Sequence, residues 1–312
     1  MTDKIYESMV EAFRSAGGPC QVFDKNAGYI MIHHNKLCKS NNAEGLEISC
    51  DETKDGISLN FRMARGHKLA NPIYLCFGMI PEEGKQHITV EGIVEDDASL
   101  EFQAYCVFPN AVNVLHSMQG EVRIGNNARF KYNEIHSHGK TGGVRVMPKV
   151  KIILGEDSVY TGTFSCIEGR AGTIDLDYEA IVGARSKADI VVQSLCSGDD
   201  IVKVRDKLIL EGEDSKGLLK SRFVAKDSAR IEVISEIIAT GAGSRGHVDC
   251  IETLLDSSQG KATPIVDVRH KDARVTHEAA IGSVSKKQLE VLMSKGLDEE
   301  QAIDILAKGL LR

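Results

Sequence analysis

The 312-residue chain contains no tryptophan, and aromatic residues amount to only 5%. Proteins that hold single-stranded nucleic acid stack bases on aromatic side chains, so that activity is excluded. A cationic surplus is missing too: 38 Lys and Arg stand against 45 Asp and Glu, a net charge of −7. Duplex binding needs a basic surface to neutralise phosphates, so no nucleic-acid partner is expected. No apolar run approaches the ~18 residues of a membrane span, so no membrane partner is expected either. The N-terminus, "MTDKIYESMVEAF", lacks the basic and apolar regions of a secretory signal. The eight cysteines (Cys20, Cys38, Cys50, Cys76, Cys106, Cys166, Cys196 and Cys250) form no C-x-x-C pair. That excludes a zinc ribbon and a thioredoxin-type motif. They read as free thiols of a cytoplasmic protein, most of them small core residues.

What is present is soluble and globular in composition, 42% apolar and 27% charged, enough for one large domain or two medium ones. Residues 4–14 place Ile5, Met9, Val10 and Phe13 on one helical face, and "SAGGPC" ends that helix. From about residue 21 to 282 short β-type runs succeed one another, separated by Gly, Asn and Asp. They are "GYIMIHH", "GISLNFRM", "QHITVEGIV", "LEFQAYCVF", "GEVRIG", "VKIIL", "DIVVQSL", "ARIEVISEIIA" and "PIVDVRH". No convincing helix lies between most of them, so alternating strand–helix units do not organise the chain. A polar–Ala–Arg–apolar motif recurs in "NNARF" (126–130), "DSARI" (227–231) and "KDARV" (271–275), and more loosely in "EDSVY" (156–160) and "SKADI" (186–190). A small residue at a turn feeding a short strand suits the coil of a β-solenoid; a β-sandwich or barrel is the competing reading. After Gly282 the period becomes helical again. Ser285 and Gln288 have capping-box spacing, Leu289, Leu292 and Met293 form a stripe, and Gly296 is placed as a stop. A second helix comes next, with acidic residues at its start and Ala302, Ile303, Ile305, Leu306 and Leu310 as its apolar positions.

Several motifs suggest chemistry. "GKT" at 139–141 ends like a P-loop, but position 134 is Glu where that loop requires glycine, so ATPase activity is not expected. "GAGSRG" (241–246) is a G-x-G-x-x-G with Asp267 downstream, which supports a nicotinamide-dependent oxidoreductase as an alternative. A β-helix hydrolase or lyase using carboxylates is another. His136 and His138, two apart, could share a metal site with His116, although exposed loop histidines are the preferred reading. In "RGHVDC", His247 beside Cys250 suggests a thiolate, with a buried structural cysteine as the competing reading. In "VTHEAAIG", the adjacent His277 and Glu278 would point to opposite sides of a regular strand. A bulge could bring both to one surface, where imidazole and carboxylate suit iron.

Together "RGHVDC", "ARVTHEAAIG" and "KKQLEVLMSKGLDEEQAIDIL" resemble the C-terminal core of the SufB/SufD family, scaffold subunits of iron–sulfur cluster assembly. "LCFGM", "IHSHGKTGG", "GRAGTIDLDYEA" and "GLLKSR" are similar to its shorter archaeal and bacterial version. The resemblance implies a mainly β fold, a right-handed parallel β-helix with short N- and C-terminal helical segments. The divisions expected are a helix over 1–20, the β-helix over 21–282 and a helical tail over 283–312. The tail would dock an ABC-type ATPase, SufC, through Leu289, Leu292, Met293, Ile303 and Leu306. Two such subunits would pair through their β-helices, as a homodimer or with a paralogue, and deliver clusters to apoprotein acceptors. The cluster would be transient cargo, with no tightly bound cofactor. His277 and Glu278 match the family's His-Glu pair. The cysteine that usually precedes it falls at Ser258, Gln259 and Gly260, which leaves Cys250 as the first-ranked thiol, with His247 beside it.

Overall fold

The computed structural model describes residues 3–19, 28–284 and 286–311. It is a β-solenoid of about 8 turns with one helix before it and two after it. Successive strands of the solenoid alternate between a first sheet of ten strands and a second sheet of nine. Apart from the antiparallel strand at the N-terminal edge of each sheet, neighbours within a sheet are parallel and one coil apart: Ser99 pairs with Arg129, Arg129 with Val159, Val159 with Lys187. A coil therefore takes 28 to 30 residues. Each strand alternates in burial, as period two requires. In Lys187–Cys196, for example, Ala188, Ile190, Val192, Ser194 and Cys196 point inward and are fully buried.

The corners explain the repeat. Asn127, Asp157, Arg185 and Asp214 adopt left-handed backbone at φ of 55°, 55°, 58° and 53°. Asn and Asp tolerate that region better than most residues. The next residue in each case is small and buried: Ala128, Ser158, Ser186 and Ser215. The corner of the adjacent coil stacks there and leaves no room for more. "NNARF", "EDSVY", "SKADI" and "KDARV" feed first-sheet strands, whereas "DSARI" feeds a second-sheet strand. That is why the motif's spacing looks irregular in sequence. Another corner is pinned by Asp200, whose carboxylate accepts from the backbone N–H of Ala171 (3.0 Å), Gly172 (2.9 Å) and Ser197 (2.8 Å) and from Arg170 Nε (2.9 Å).

"GAGSRG" is also a corner. Gly243 has φ of +67°, and a Cβ on Gly241 would lie 2.0 Å from the carbonyl oxygen of Gly212 in the coil below. The motif's last two residues open the strand Arg245–Leu254, not a helix, so no helix N-terminus is available for a pyrophosphate. Asp267 is spent on an exposed pair with Arg269 at 2.6 Å. The dinucleotide reading fails because the glycines answer coil stacking instead. "GKT" lies just beyond the strand Arg129–His138, with the Thr141 hydroxyl bonded to the carbonyl of Ala111.

Helix α1 (Asp3–Ser15) buries Met9 and Phe13 against Tyr29, Met31, Cys76, Tyr105 and Val107 on the outside of the first sheet. Cys20 lies outside the described residues; the other seven cysteines are free. Helix α2 (Lys286–Met293) ends before Gly296, which takes φ of +94°. Ser285, the expected cap, lies outside the described residues. Helix α3 (Glu299–Leu310) is capped by Asp298 in a reciprocal box with Gln301. Its Ala307, with Leu311 just after it, buries onto Val224, on the outer side of the first sheet. Among the described residues no helix is long and apolar enough to cross a membrane.

The two ends of the solenoid differ. At the N-terminal end, antiparallel strands Lys36–Asn41 and Leu46–Glu52 close the edges of the two sheets. At the C-terminal end the last strands, Gln259–Val268 and Arg274–Gly282, are edge strands with exposed side chains.

Candidate functional site

Two polar chambers interrupt the apolar interior. The first arises where three neighbouring strands turn polar side chains inward. Ser99–Phe108 supplies Cys106, Asn113–Ile124 supplies His116, and Arg129–His138 supplies Glu134, His136 and His138 by alternation. The three histidines are therefore strand residues, not exposed loop residues: His116 is 2% exposed, His136 1% and His138 7%. One ligand atom from each of Cys106, His116, Glu134 and His136 lies within 4.8 Å of the other three. His136 Nε2 is 2.7 Å from Glu134 Oε1, and Cys106 Sγ is 3.7 Å from the same oxygen. Tyr178 Oη reaches Glu134 Oε2 at 3.5 Å. On its other side His136 Nδ1 is 3.1 Å from His138 Nε2, and His138 Nδ1 is 3.0 Å from the carbonyl of Arg170. Neither ring nitrogen of His116 has a hydrogen-bond partner among the described residues. Its ring sits against Phe77 and Phe108. Burial drives the electrostatics here. It lowers His116, His136 and His138 to about 3 and raises Glu134 and Cys106, so the isolated groups favour their neutral forms. Cys106 and Glu134 escaped the sequence reading because neither stands in a recognisable motif.

The second chamber lies nearer the C-terminal end. Cys250 is 1% exposed, with its sulfur 3.8 Å from Ser235 Oγ and Ser221 beside it. Burial raises its thiol, so it rests as a thiol rather than a thiolate. Two buried carboxyl groups share this region. Asp206 is 1% exposed and Glu252 fully buried, and burial lifts each to about 7. Neither makes a hydrogen bond of ordinary geometry among the described residues, although Ser235 offsets part of the penalty at Asp206. His136 and Glu252 occupy one column, passing through Cys166, Ser194 and Phe223. Four coil steps at ~4.8 Å each separate the chambers by about 19 Å.

The last first-sheet strand stacks directly on this second chamber. Val248 pairs with His277, Asp249 with Glu278 and Cys250 with Ala279. His277 thus continues the inward row of Val248, and Glu278 the outward row of Asp249; both are exposed. The strand is regular, so the two side chains diverge. His247 is partly exposed in the outward row, with Nδ1 2.8 Å from Thr276 Oγ1. Gln259 opens the last second-sheet strand, and Ser258 Oγ bonds the carbonyls of Leu255 (2.6 Å) and Ala225 (3.1 Å), a corner role. Of the tail residues, Met293 is exposed, while Leu289, Leu292, Ile303 and Leu306 are half-buried. The apolar side chains α2 and α3 leave outermost are Val291, Met293, Ile305 and Leu310.

Residues 82–310 match the family described as SUF system FeS cluster assembly, SufBD core domain. An iron–sulfur cluster assembly SufBD family protein of Methanocaldococcus jannaschii is 36% identical over 97% of this chain and 96% of its own length. One from Pyrococcus horikoshii is 32% identical over 99% of this chain and 94% of its own. A longer SufBD family protein, from Methanothermobacter thermautotrophicus, is 26% identical over 80% of this chain and 61% of its own.

Proposed function

The chain belongs to the SufBD family of iron–sulfur cluster assembly proteins, and from that premise we propose that it is a scaffold subunit without turnover of its own. It builds transient clusters at the C-terminal end of the solenoid and passes them to apoprotein acceptors in the cytoplasm. The observation that carries this reading is the position of Cys250: sealed as a thiol beside two buried carboxyl groups, directly beneath the open coil that holds His277.

Such a chamber suits cargo. Iron accepts thiolate, imidazole and carboxylate ligands, and a set with few thiolates releases a cluster more readily than a four-cysteine cage. At rest Cys250 is neither ionised nor accessible, so the site requires an opening step. An ABC-type ATPase of the SufC kind, docked on α2 and α3, would supply it. Helix α3 is anchored on Val224, at the outer side of the first sheet, so a pull on the helix pair is transmitted to the sheet that carries Cys250 and His277. Glu278 and His247 face outward on the same two strands and would serve cargo arriving from a second copy or a paralogue at the open end.

Anaerobic reconstitution with iron, sulfide, ATP and the ATPase partner should give sulfur-to-iron charge-transfer absorbance. Cys250→Ser and His277→Ala should each reduce it at least severalfold while leaving the thermal transition in place. Unchanged absorbance in both variants would remove the C-terminal chamber from the pathway.

A further inference from the structure

We propose that Cys106, His116, Glu134 and His136 form a resident site for one divalent first-row transition ion, zinc or iron, separate from the chamber that handles cargo. The cluster of four donor atoms carries the proposal, and the hydrogen-bond chain orients one of them. His138 Nδ1–H donates to the carbonyl of Arg170, an acceptor only. His138 Nε2 is then a lone pair, so His136 must donate its Nδ1–H to it. That leaves the Nε2 lone pair of His136 aimed at Glu134 Oε1, two acceptors 2.7 Å apart. Either a proton on Glu134 or a metal ion satisfies that contact, and the rest of the donor set decides between them.

The surroundings point to a metal. His116 brings two unpartnered nitrogens into a fully buried site, where an imidazole without a hydrogen bond is costly. As a ligand it would gain a partner for one of them. Cys106 adds a thiolate donor from the adjacent strand. One thiolate, one carboxylate and two neutral imidazoles carry two negative charges, which a divalent ion cancels in an apolar core. Tetrahedral zinc with bonds of about 2.0–2.3 Å sets its ligands roughly 3.5 Å apart. The four donor atoms, all within 4.8 Å of one another, reach that by small side-chain rotations. The outer hydrogen bonds are those of a metal-bound histidine: His136 gives its free N–H to His138, which is fixed by a backbone carbonyl. All four ligands are at most 2% exposed, so the ion would be held and not handed on.

The full chain, purified anaerobically, should contain about one equivalent of zinc or iron by elemental analysis, which also tells the two apart. Expressed in cobalt-supplemented medium, it should show sulfur-to-cobalt charge transfer in the near ultraviolet and visible bands of tetrahedral cobalt. Cys106→Ser should abolish the charge transfer, and Glu134→Gln should shift the visible bands. Cys250→Ser should leave both unchanged, which separates this site from the cargo chamber. Native protein carrying neither zinc nor iron, or a cobalt spectrum indifferent to Cys106→Ser, would overturn the proposal. Metal retained in Cys250→Ser, which lacks the cargo thiol, decides even if Cys106→Ser does not fold.

Discussion

Asp206 holds a proton in the folded chain that it would lose on unfolding. Burial lifts it from 3.8 to about 7. Between those values the native state binds more protons than the unfolded state, so stability is fully present below the lower value and falls as pH rises through the window. Above it the loss is complete and the curve is level. A shift of that size corresponds to roughly 4 kcal/mol. Asp206→Asn keeps the shape and removes the ionisation. In denaturant titrations wild type should lose stability between pH 5 and pH 8, and the variant should lose clearly less; equal slopes would mean that Asp206 does not titrate there. None of this was legible in sequence. Asp206 sits in "VKVRDKL" among alternating charged residues, and only the register of the coil turns it inward.

At the scale of the element, legibility depended only in part on the polarity of the inward row. The nine runs chosen by β-pattern all fall in strands, because their inward positions are apolar and β-branched. Ten of the nineteen described strands were not singled out, among them three that carry candidate site residues inward. "RFKYNEIHSH", "RGHVDCIETL" and "RVTHEAAIG" turn Glu134, His136, Cys250, Glu252 or His277 inward, which breaks the alternation that marks a half-buried strand. Cys106 shows the converse, lying in "LEFQAYCVF", a run that the pattern did find. The terminal helices were legible as helices, but which face stays free was not. The anchoring of α3 on Val224 depends on Ala307 and Leu311, neither of which was among the apolar positions read from sequence. If α2 and α3 receive the ATPase, the docking face is the one left out. Val291→Asp combined with Ile305→Asp should then abolish co-purification of the ATPase without changing the melting temperature, since both side chains are nearly half exposed. Leu311→Ala should do the reverse: it opens a void against Val224 and costs about 2 kcal/mol while the docking face survives. Retained capture by the double variant would place the partner elsewhere.

Across the whole molecule the two ends of the solenoid differ in how they are covered. A solenoid coil buries its interior only by stacking on a neighbour, so each end needs a cover. At the N-terminal end two antiparallel strands close the sheets. At the C-terminal end both sheets stop at parallel edge strands whose inward row leaves Val268 at 45% exposure and Ile281 at 48%. Helix α3 packs to the side and does not cover this face. Unpaired edges of this kind invite pairing with another chain. A second copy related by a two-fold axis would extend both sheets, bury the four apolar side chains Val266, Val268, Ala279 and Ile281, and set the Cys250 chambers of the two copies across one interface. Scattering or native mass measurement should therefore give a dimer for wild type. Val268→Lys with Ile281→Lys, which places charges in the inward row of both edges, should give a monomer that keeps its strand content. The same variant should lose cluster reconstitution while retaining any ion bound at Cys106, since Cys106 lies six coil steps, about 29 Å, down the solenoid from Ile281. A dimer that survives both lysines would put the contact on another face and would leave the open coil to the paralogue or to the acceptor.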